Sequence, residues 1–377
     1  MNIRRYKLEY SDDDIKFVKQ EIEKTLKSGY LTDGGPNVKQ FEQMWSAFNG
    51  SKYSIAVSSC TTGLETILRA LDVKGYSVIV PAYTFIASAM SVYNSGGTPV
   101  YADIDKSTLG LSLNSIKSSI RDDTKAVIVV HVGGVITNEI QKIRQYCDER
   151  GLFLIEDAAC AHGASYQGVK SGNFGHAGCF SFHHSKVLTS GEGGIITTDS
   201  EELYARMKRI RAIGLDRTIN NWESFEIGSN AKMSEITAIL AILHTKNANN
   251  IIAERRKIAK IYDQFINFNK KIIKFNLPDK TESSFYKYFV KVDSLKTKES
   301  FKKYAASCGI ELPPEAYSYT CDKQLVSKKM GCILNSDLSN SNFMIDHHFC
   351  LPMYNGLEDK EIKHIINVLN NFIEKNR

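Results

Sequence analysis

Between residues 54 and 200 the chain alternates short apolar, β-branched runs with stretches of helical periodicity, and no other feature limits its fold as much. Strands apolar on both faces belong inside a sheet covered on both sides, and an intervening helix returns each strand parallel to the last. The runs are Ser54 to Val57, Val78 to Val80, Val100 to Ala102, Ala126 to Val130, Leu152 to Ile155, Gly178 to Phe182 and Gly194 to Thr198. Their β-branched and aromatic residues favour strand over helix. The expected class is α/β, with a large domain built on a mostly parallel, helix-covered central sheet and a smaller C-terminal α+β domain.

The flanks fit two unequal lobes. Residues 11 to 28 read as an amphipathic helix: Ser11 can cap it, Asp12 to Asp14 suit its positive end, and Gly29 ends it. A loop follows from Thr32 to Pro36, and helical spacing resumes through Phe41, Met44 and Phe48. Beyond residue 230 long helical periodicity takes over, including Ser234 to His244. Phe285 to Val292 then reads as a strand and Lys360 to Lys375 as a closing helix. A chain of 377 residues exceeds what one core usually holds. The expected division is a large domain over 1–245, with an N-terminal helical segment 1–50, and a small domain over 246–377.

Composition excludes several classes of function. The formal charge is +6, and basic residues are interleaved with acidic ones rather than forming a stripe, so no nucleic-acid partner is expected. A mildly basic surface still suits phosphorylated anions. None of the eight cysteines forms a Cys-x-x-Cys pair, which argues against zinc ribbons and thioredoxin-like sites. The start, Met1-Asn2-Ile3-Arg4-Arg5, has no apolar run suited to a signal peptide or membrane span. A cytoplasmic protein with reduced thiols and no membrane association is expected.

Four segments fall where an open α/β sheet puts ligand contacts, after the carboxyl ends of strands. Ser58-Ser59-Cys60-Thr61-Thr62-Gly63 offers hydroxyls and free backbone N–H groups at a helix start, which suits a phosphate. Taken alone, it is also an ordinary capped helix start. Pro81 to Phe85 ends in a ring, Phe85, able to stack on a flat heterocycle or simply to be core. The run Ile155-Glu156-Asp157-Ala158-Ala159-Cys160-Ala161-His162-Gly163 sets Asp157 at the end of a strand. There it can face a protonated pyridine nitrogen or merely cap a helix. Last comes Ser181-Phe182-His183-His184-Ser185-Lys186, followed by Gly191-Glu192-Gly193-Gly194. A lysine between an apolar strand and a glycine-rich turn should be partly desolvated, lowering its pKa towards the neutral amine that Schiff-base formation requires.

These motifs resemble the DegT/StrS-type sugar aminotransferases, a branch of the fold type I pyridoxal-phosphate enzymes of the aspartate aminotransferase superfamily. The resemblance runs from Gly29-Tyr30-Leu31-Thr32-Asp33-Gly34-Gly35-Pro36 to Leu351-Pro352-Met353-Tyr354, and is densest at 156 to 163 and 181 to 194. It implies an aspartate aminotransferase-like large domain and pyridoxal 5'-phosphate as cofactor, with Lys186 as the Schiff-base lysine and proton carrier. By the same resemblance Asp157 holds the ring nitrogen, Phe85 stacks on the ring, and Thr61, Thr62 and Ser181 bind the phosphate beside Cys60. Asn230 matches an asparagine that reaches the phosphate of a neighbouring subunit, which implies a homodimer with shared active sites. The implied reaction moves an amino group from L-glutamate to a keto sugar, often nucleotide-linked, in amino-sugar or surface-glycan biosynthesis.

Three positions depart from the pattern. Cys160 stands at the cofactor-binding position, next to the phenolic oxygen, where the family usually has glutamine; His131-Val132-Gly133-Gly134 stands where a His-Leu-Tyr-Gly stretch is frequent, and Lys232 where arginine is common. The altered 131 to 134 stretch keeps a smaller phosphorylated ketone or a free keto sugar open as acceptor. A sugar dehydratase of the same fold, which typically has histidine in place of the lysine, and a silent cofactor-binding regulator are the rival readings. Lys186 speaks against the first, and the chemically competent cofactor positions against the second.

Overall fold

The computed structural model describes residues 1–32, 34–216, 222–334 and 337–376; Asp33 of the opening motif lies outside them. The first helix runs Asp12–Ser28, with Ser11 and Asp14 forming a reciprocal cap and Gly29 closing it in the left-handed region at φ 73°. A second helix, Pro36–Asn49, leads into the sheet region.

Strands follow in the expected alternation: β1 (Tyr53–Val57), β2 (Ser77–Pro81), β3 (Thr98–Ala102), β4 (Thr124–Val130) and β5 (Phe153–Asp157). Two short strands, β6 (Ser165–Tyr166) and β7 (Val169–Lys170), precede β8 (Ala177–Ser181) and β9 (Gly194–Thr198). The C-terminal part adds β10 (Ile272–Lys274), β11 (Thr281–Glu282), β12 (Tyr288–Val292), β13 (Ile333–Leu334) and β14 (His348–Leu351). The large sheet has eight strands in the order β1-β9-β8-β5-β4-β2-β3-β13. Only β9 runs against its neighbours; β8, β5, β4, β2, β3 and β13 pair in parallel.

The alternation of side chains explains how these runs can be apolar throughout. In β4, Val127 and Val129 enter one core with Phe41, Trp45, Leu154 and Phe180. Ala126, Ile128 and Val130 enter the opposite core with Ile55, Ile155, Cys179 and Ile196. The central strand β4 therefore buries both faces, and a polar substitution on either would meet a dry interior.

A third core lies under the antiparallel sheet β10-β12-β14 and the closing helix Asp359–Lys375. The long helix Ala248–Phe265 serves two cores, giving Ala248 and Ile252 to the first and Ile258, Ala259 and Tyr262 to the third. Ile3 is fully buried in that third core and bridges to Ile310. In the other direction, β13 crosses back to pair with β3. The strand expected from Phe285 starts only at Tyr288, because Phe285 has a positive φ of 50°, incompatible with extended backbone. Among the described residues no helix is long and apolar enough to cross a membrane.

Candidate active site

The carboxyl ends of β1, β2, β4, β5 and β8 open onto one edge of the large sheet, and the reversed β9 begins there, since Gly194 pairs with both Val57 and Ser181. A cavity of about 960 Å³ lies at this edge. Of the residues singled out from sequence, Cys60, Thr61, Phe85, Asp157, Cys160, Ser181 and Lys186 line it. Thr62 and Asn230 do not.

Thr62 is committed elsewhere. Its N–H donates to Ser59 Oγ at 3.2 Å, while its own Oγ1 accepts from Ser59 N at 3.1 Å, a reciprocal cap on the helix Cys60–Ala70. The Ser59-x-x-Thr62 spacing carries this signal in the sequence. The cap leaves the first-turn N–H groups of Cys60 and Thr61, which no helical carbonyl can reach, directed to the positive end of the helix. A Cβ at Gly194 would sit 2.6 Å from Ser59 C and 2.7 Å from Cys60 N. Only glycine lets β9 pass so close beneath this helix start.

Asp157 is buried at the end of β5, where its carboxylate accepts from Ser88 Oγ at 2.7 Å and from Ala159 N at 3.2 Å. Ser88 is held in turn by Thr84, hydroxyl to hydroxyl at 3.0 Å. Sequence reasoning passed over Ser88, whose Thr84-x-x-x-Ser88 spacing on a helix start is its one visible mark. The neighbouring Glu156 points to the other face of β5 and accepts from Gly172 N, Phe174 N and Gly175 N at 2.7, 2.6 and 2.6 Å. It also meets His131 Nε2 at 2.8 Å, so the buried pair ties the end of β4 to the loop before β8.

Lys186 sits on the turn after β8, its N–H donating to His183 O at 2.9 Å. Its Nζ lies 3.2 Å from Cys160 Sγ and 4.8 Å from the ring centre of Tyr286. Desolvation by itself lowers the pKa of this amine, as expected from sequence. The Cys160 thiol, the Tyr286 phenol and Asp157 oppose it, and the net shift is upward. The expected lowering is therefore overturned: the polypeptide's own groups favour the ammonium, and these neighbours are contributed by segments remote in sequence.

Ser181 accepts from His183 N at 3.3 Å, which leaves its O–H free to donate. Phe85 is 64% exposed, so its ring is cavity wall rather than core. The C-terminal part brings Tyr286, Lys287, Tyr317 and Lys323 to the cavity, none of them found from sequence. Gly133 has φ +64°, and a Cβ there would lie 2.2 Å from Phe289 Cε2, so a ring from β12 fills the space beside this position. Asn230 is exposed, accepts from Lys232 Nζ at 2.5 Å, and lies away from the cavity of its own chain.

Residues 12–370 match the profile of the DegT/DnrJ/EryC1/StrS aminotransferase family. GDP-perosamine synthase of Escherichia coli O157:H7 is 29% identical, covering 94% of this chain and 95% of the relative. The structure of DesI in the presence of its TDP-sugar product superposes with a TM-score of 0.87 at 26% identity, over 96% of this chain and 91% of that one. Spr1654 from Streptococcus pneumoniae, solved in a PMP form and a PLP form, is 25% identical; its PMP form has a TM-score of 0.88 and covers 100% of this chain and 98% of its own. With a match over nearly its whole length, the chain belongs to the DegT/DnrJ/EryC1/StrS aminotransferase family.

Proposed function

We propose that this aminotransferase uses pyridoxal phosphate, takes an amino group from L-glutamate and delivers it to a nucleotide-linked keto sugar, in the cytoplasm and as a homodimer with shared sites. The observation that carries the reading is the meeting of Lys186 and Asp157 in one cavity whose wall includes the start of a helix. Pyridoxal phosphate is known in the PLP and PMP forms of Spr1654, and the residues here fit it. The N–H groups of Cys60 and Thr61 and the hydroxyl of Ser181 would hold the phosphate, Phe85 would cover a ring face, Asp157 would meet the ring nitrogen, and Lys186 Nζ would bind the aldehyde carbon.

When bound, that cofactor supplies an electron sink for the pair released when a C–H bond beside nitrogen breaks. The chain supplies the rest. Lys186 Nζ carries the proton from one carbon to another within reach of its flexible stem. Asp157, fixed by Ser88, would stay aligned with the ring nitrogen. In this reading residues 1–245 form the cofactor-binding lobe, and residues 246–377 carry Tyr286, Lys287, Tyr317 and Lys323 to the mouth. Lys287 and Lys323 add positive charge where a diphosphate or the carboxylates of glutamate would approach. The nucleotide linkage draws support from the substrates named in the relatives, a GDP-sugar enzyme and a TDP-sugar complex.

The test loads the protein with pyridoxamine phosphate and offers it nucleotide-linked keto sugars, free keto sugars and phosphorylated ketones. The expected product, read by mass, is the amine of a nucleotide-linked sugar; conversion of the phosphorylated ketones alone would overturn the acceptor. Borohydride reduction of the pyridoxal-phosphate form should label the peptide containing Lys186, and an unlabelled peptide would overturn the assignment of the lysine.

A further inference from the structure

Cys160 and Lys186 meet at 3.2 Å, Sγ to Nζ, and both are delivered by turns fixed to neighbouring strands. Ala158 N donates to Cys179 O at 2.9 Å, and Ala161 N donates to Ala158 O at 2.9 Å, which sets the turn bearing Cys160. Ser171 Oγ also donates to Ala161 O, at 2.6 Å. The turn bearing Lys186 closes on His183. On its other side Nζ faces the Tyr286 ring, so the amine is confined close to the sulfur.

Two of the other buried thiols differ. Cys147 and Cys350 are sealed in cores, where burial pushes their thiols up to about 12 and about 11. Cys160 opens on the cavity, where a small oxidant can reach it. The neighbouring ammonium also steadies the negative charge that develops on the departing oxygen as the sulfur attacks a peroxide.

We propose that Cys160 and Lys186 form an oxidative modification site, in which one equivalent of a hydroperoxide closes a sulfenamide bond between Sγ and Nζ. In the first step the sulfur attacks a peroxide oxygen; the O–O bond breaks, an S–O bond forms, and the departing oxygen leaves as water or alcohol. In the second, Lys186 passes a proton to the sulfenic oxygen and the freed amine attacks the sulfur; an S–N bond forms, the S–O bond breaks, water leaves, and a further N–H proton passes to solvent. Sulfur has given two electrons and the peroxide has accepted them. A thiol reductant reverses the change by attacking the sulfur and releasing the amine. The consequence for activity rests on the reading of Lys186 as the cofactor lysine: with Nζ bound to sulfur, the chain can no longer hold pyridoxal phosphate covalently.

The experiment treats the pyridoxamine-phosphate form, in which the lysine is free, with equimolar hydrogen peroxide and follows it by tryptic mass mapping. The expected result is loss of cleavage after Lys186 and a linked pair of peptides containing positions 160 and 186, lighter than their sum by two hydrogen atoms. Dithiothreitol should restore cleavage, and Cys160→Ser should prevent the link. Recovery of Cys160 as thiol or sulfinic acid, with cleavage after Lys186 intact, would overturn the proposal. The pyridoxal-phosphate form should resist, since its amine is engaged. A link that forms while borohydride labels no peptide at 186 would uphold the modification and sink the cofactor assignment; labelling at 186 without a link would do the reverse.

Discussion

Ser88 Oγ donates to the Asp157 carboxylate at 2.7 Å, joining the helix that follows β2 to the end of β5. A hydrogen bond to a charged group contributes about 1.5–3 kcal/mol. Ser88→Ala should therefore lower the thermal midpoint and, by loosening Asp157, weaken pyridoxal-phosphate binding by about tenfold or more. Ser88→Thr, which keeps the hydroxyl, should recover part of the loss. Fluorescence titration of the cofactor checks this, and unaltered affinity in the alanine variant would show that Asp157 needs no such partner.

Gly194 answers a steric demand. A Cβ at 2.6 Å from Ser59 C and 2.7 Å from Cys60 N meets backbone, which cannot rotate away. Gly194→Ala should cost about 1–3 kcal/mol or more and lower the melting temperature. Because the shift falls on the helix start, phosphate should be lost as a ligand before the fold is. Competition between inorganic phosphate and the cofactor, compared with wild type at a temperature where both proteins remain folded, separates the two effects.

Gly133 and Phe289 form a complementary pair across the sheet edge, the ring of one occupying what would be the side-chain space of the other. Gly133→Ala should destabilise the protein by about 1–3 kcal/mol through overpacking. In the Phe289→Ala background the same change should cost only the strain of a left-handed residue, about 1 kcal/mol. Chemical denaturation of the four proteins gives the coupling, and additive costs would mean that the ring and position 133 do not compete.

Three buried histidines make stability depend on pH. Desolvation drives His162 down to about 3, and His244 and His348 down to about 4, from an ordinary 6.5. Below pH 6.5 the unfolded chain takes up protons that the folded chain refuses, so unfolding gains in favour. Their full contribution is present above about 6.5 and declines as the pH falls towards 4. Each histidine adds up to about 1.4 kcal/mol per pH unit within that window. His162 lies among Trp45, Phe180 and Phe182, with ring centres 5.8, 5.7 and 5.3 Å away. Denaturation midpoints for His162→Leu between pH 4 and 6.5 should therefore show a shallower slope, by about one proton, than those of the native chain.

What was legible in the sequence followed from strand periodicity. Asp157, Ser181 and Cys60 stand where an apolar run stops, and in a parallel sheet those positions share one edge. The same logic does not reach residues from other layers. Ser88 lies one turn into a helix, and Tyr286, Phe289 and Lys323 arrive from a part of the chain more than 100 residues beyond β5, so only tertiary packing joins them to the site. Thr62 shows the opposite limit: its N–H suited a phosphate, but a local cap consumes it. For Lys186, burial was foreseen and its direction of effect was right, yet the opposing influence of Cys160, Tyr286 and Asp157 depends on distances that no one-dimensional reading contains.

Asn230 offers a test of shared sites. It is exposed and stands off the cavity of its own chain, as a residue serving a neighbouring subunit would. In a dimer of Lys186→Ala and Asn230→Ala subunits, one site then combines both defects. The other combines an intact Lys186 from one subunit with an intact Asn230 from its partner. Each variant alone should be impaired, but the refolded mixture should regain activity in proportion to the mixed dimers formed. If Asn230 acts within its own chain, every site in the mixed dimer carries one defect and mixing restores nothing. Activity of the mixture, measured against its sedimentation behaviour, decides between the two, because recovery without dimerisation is physically excluded.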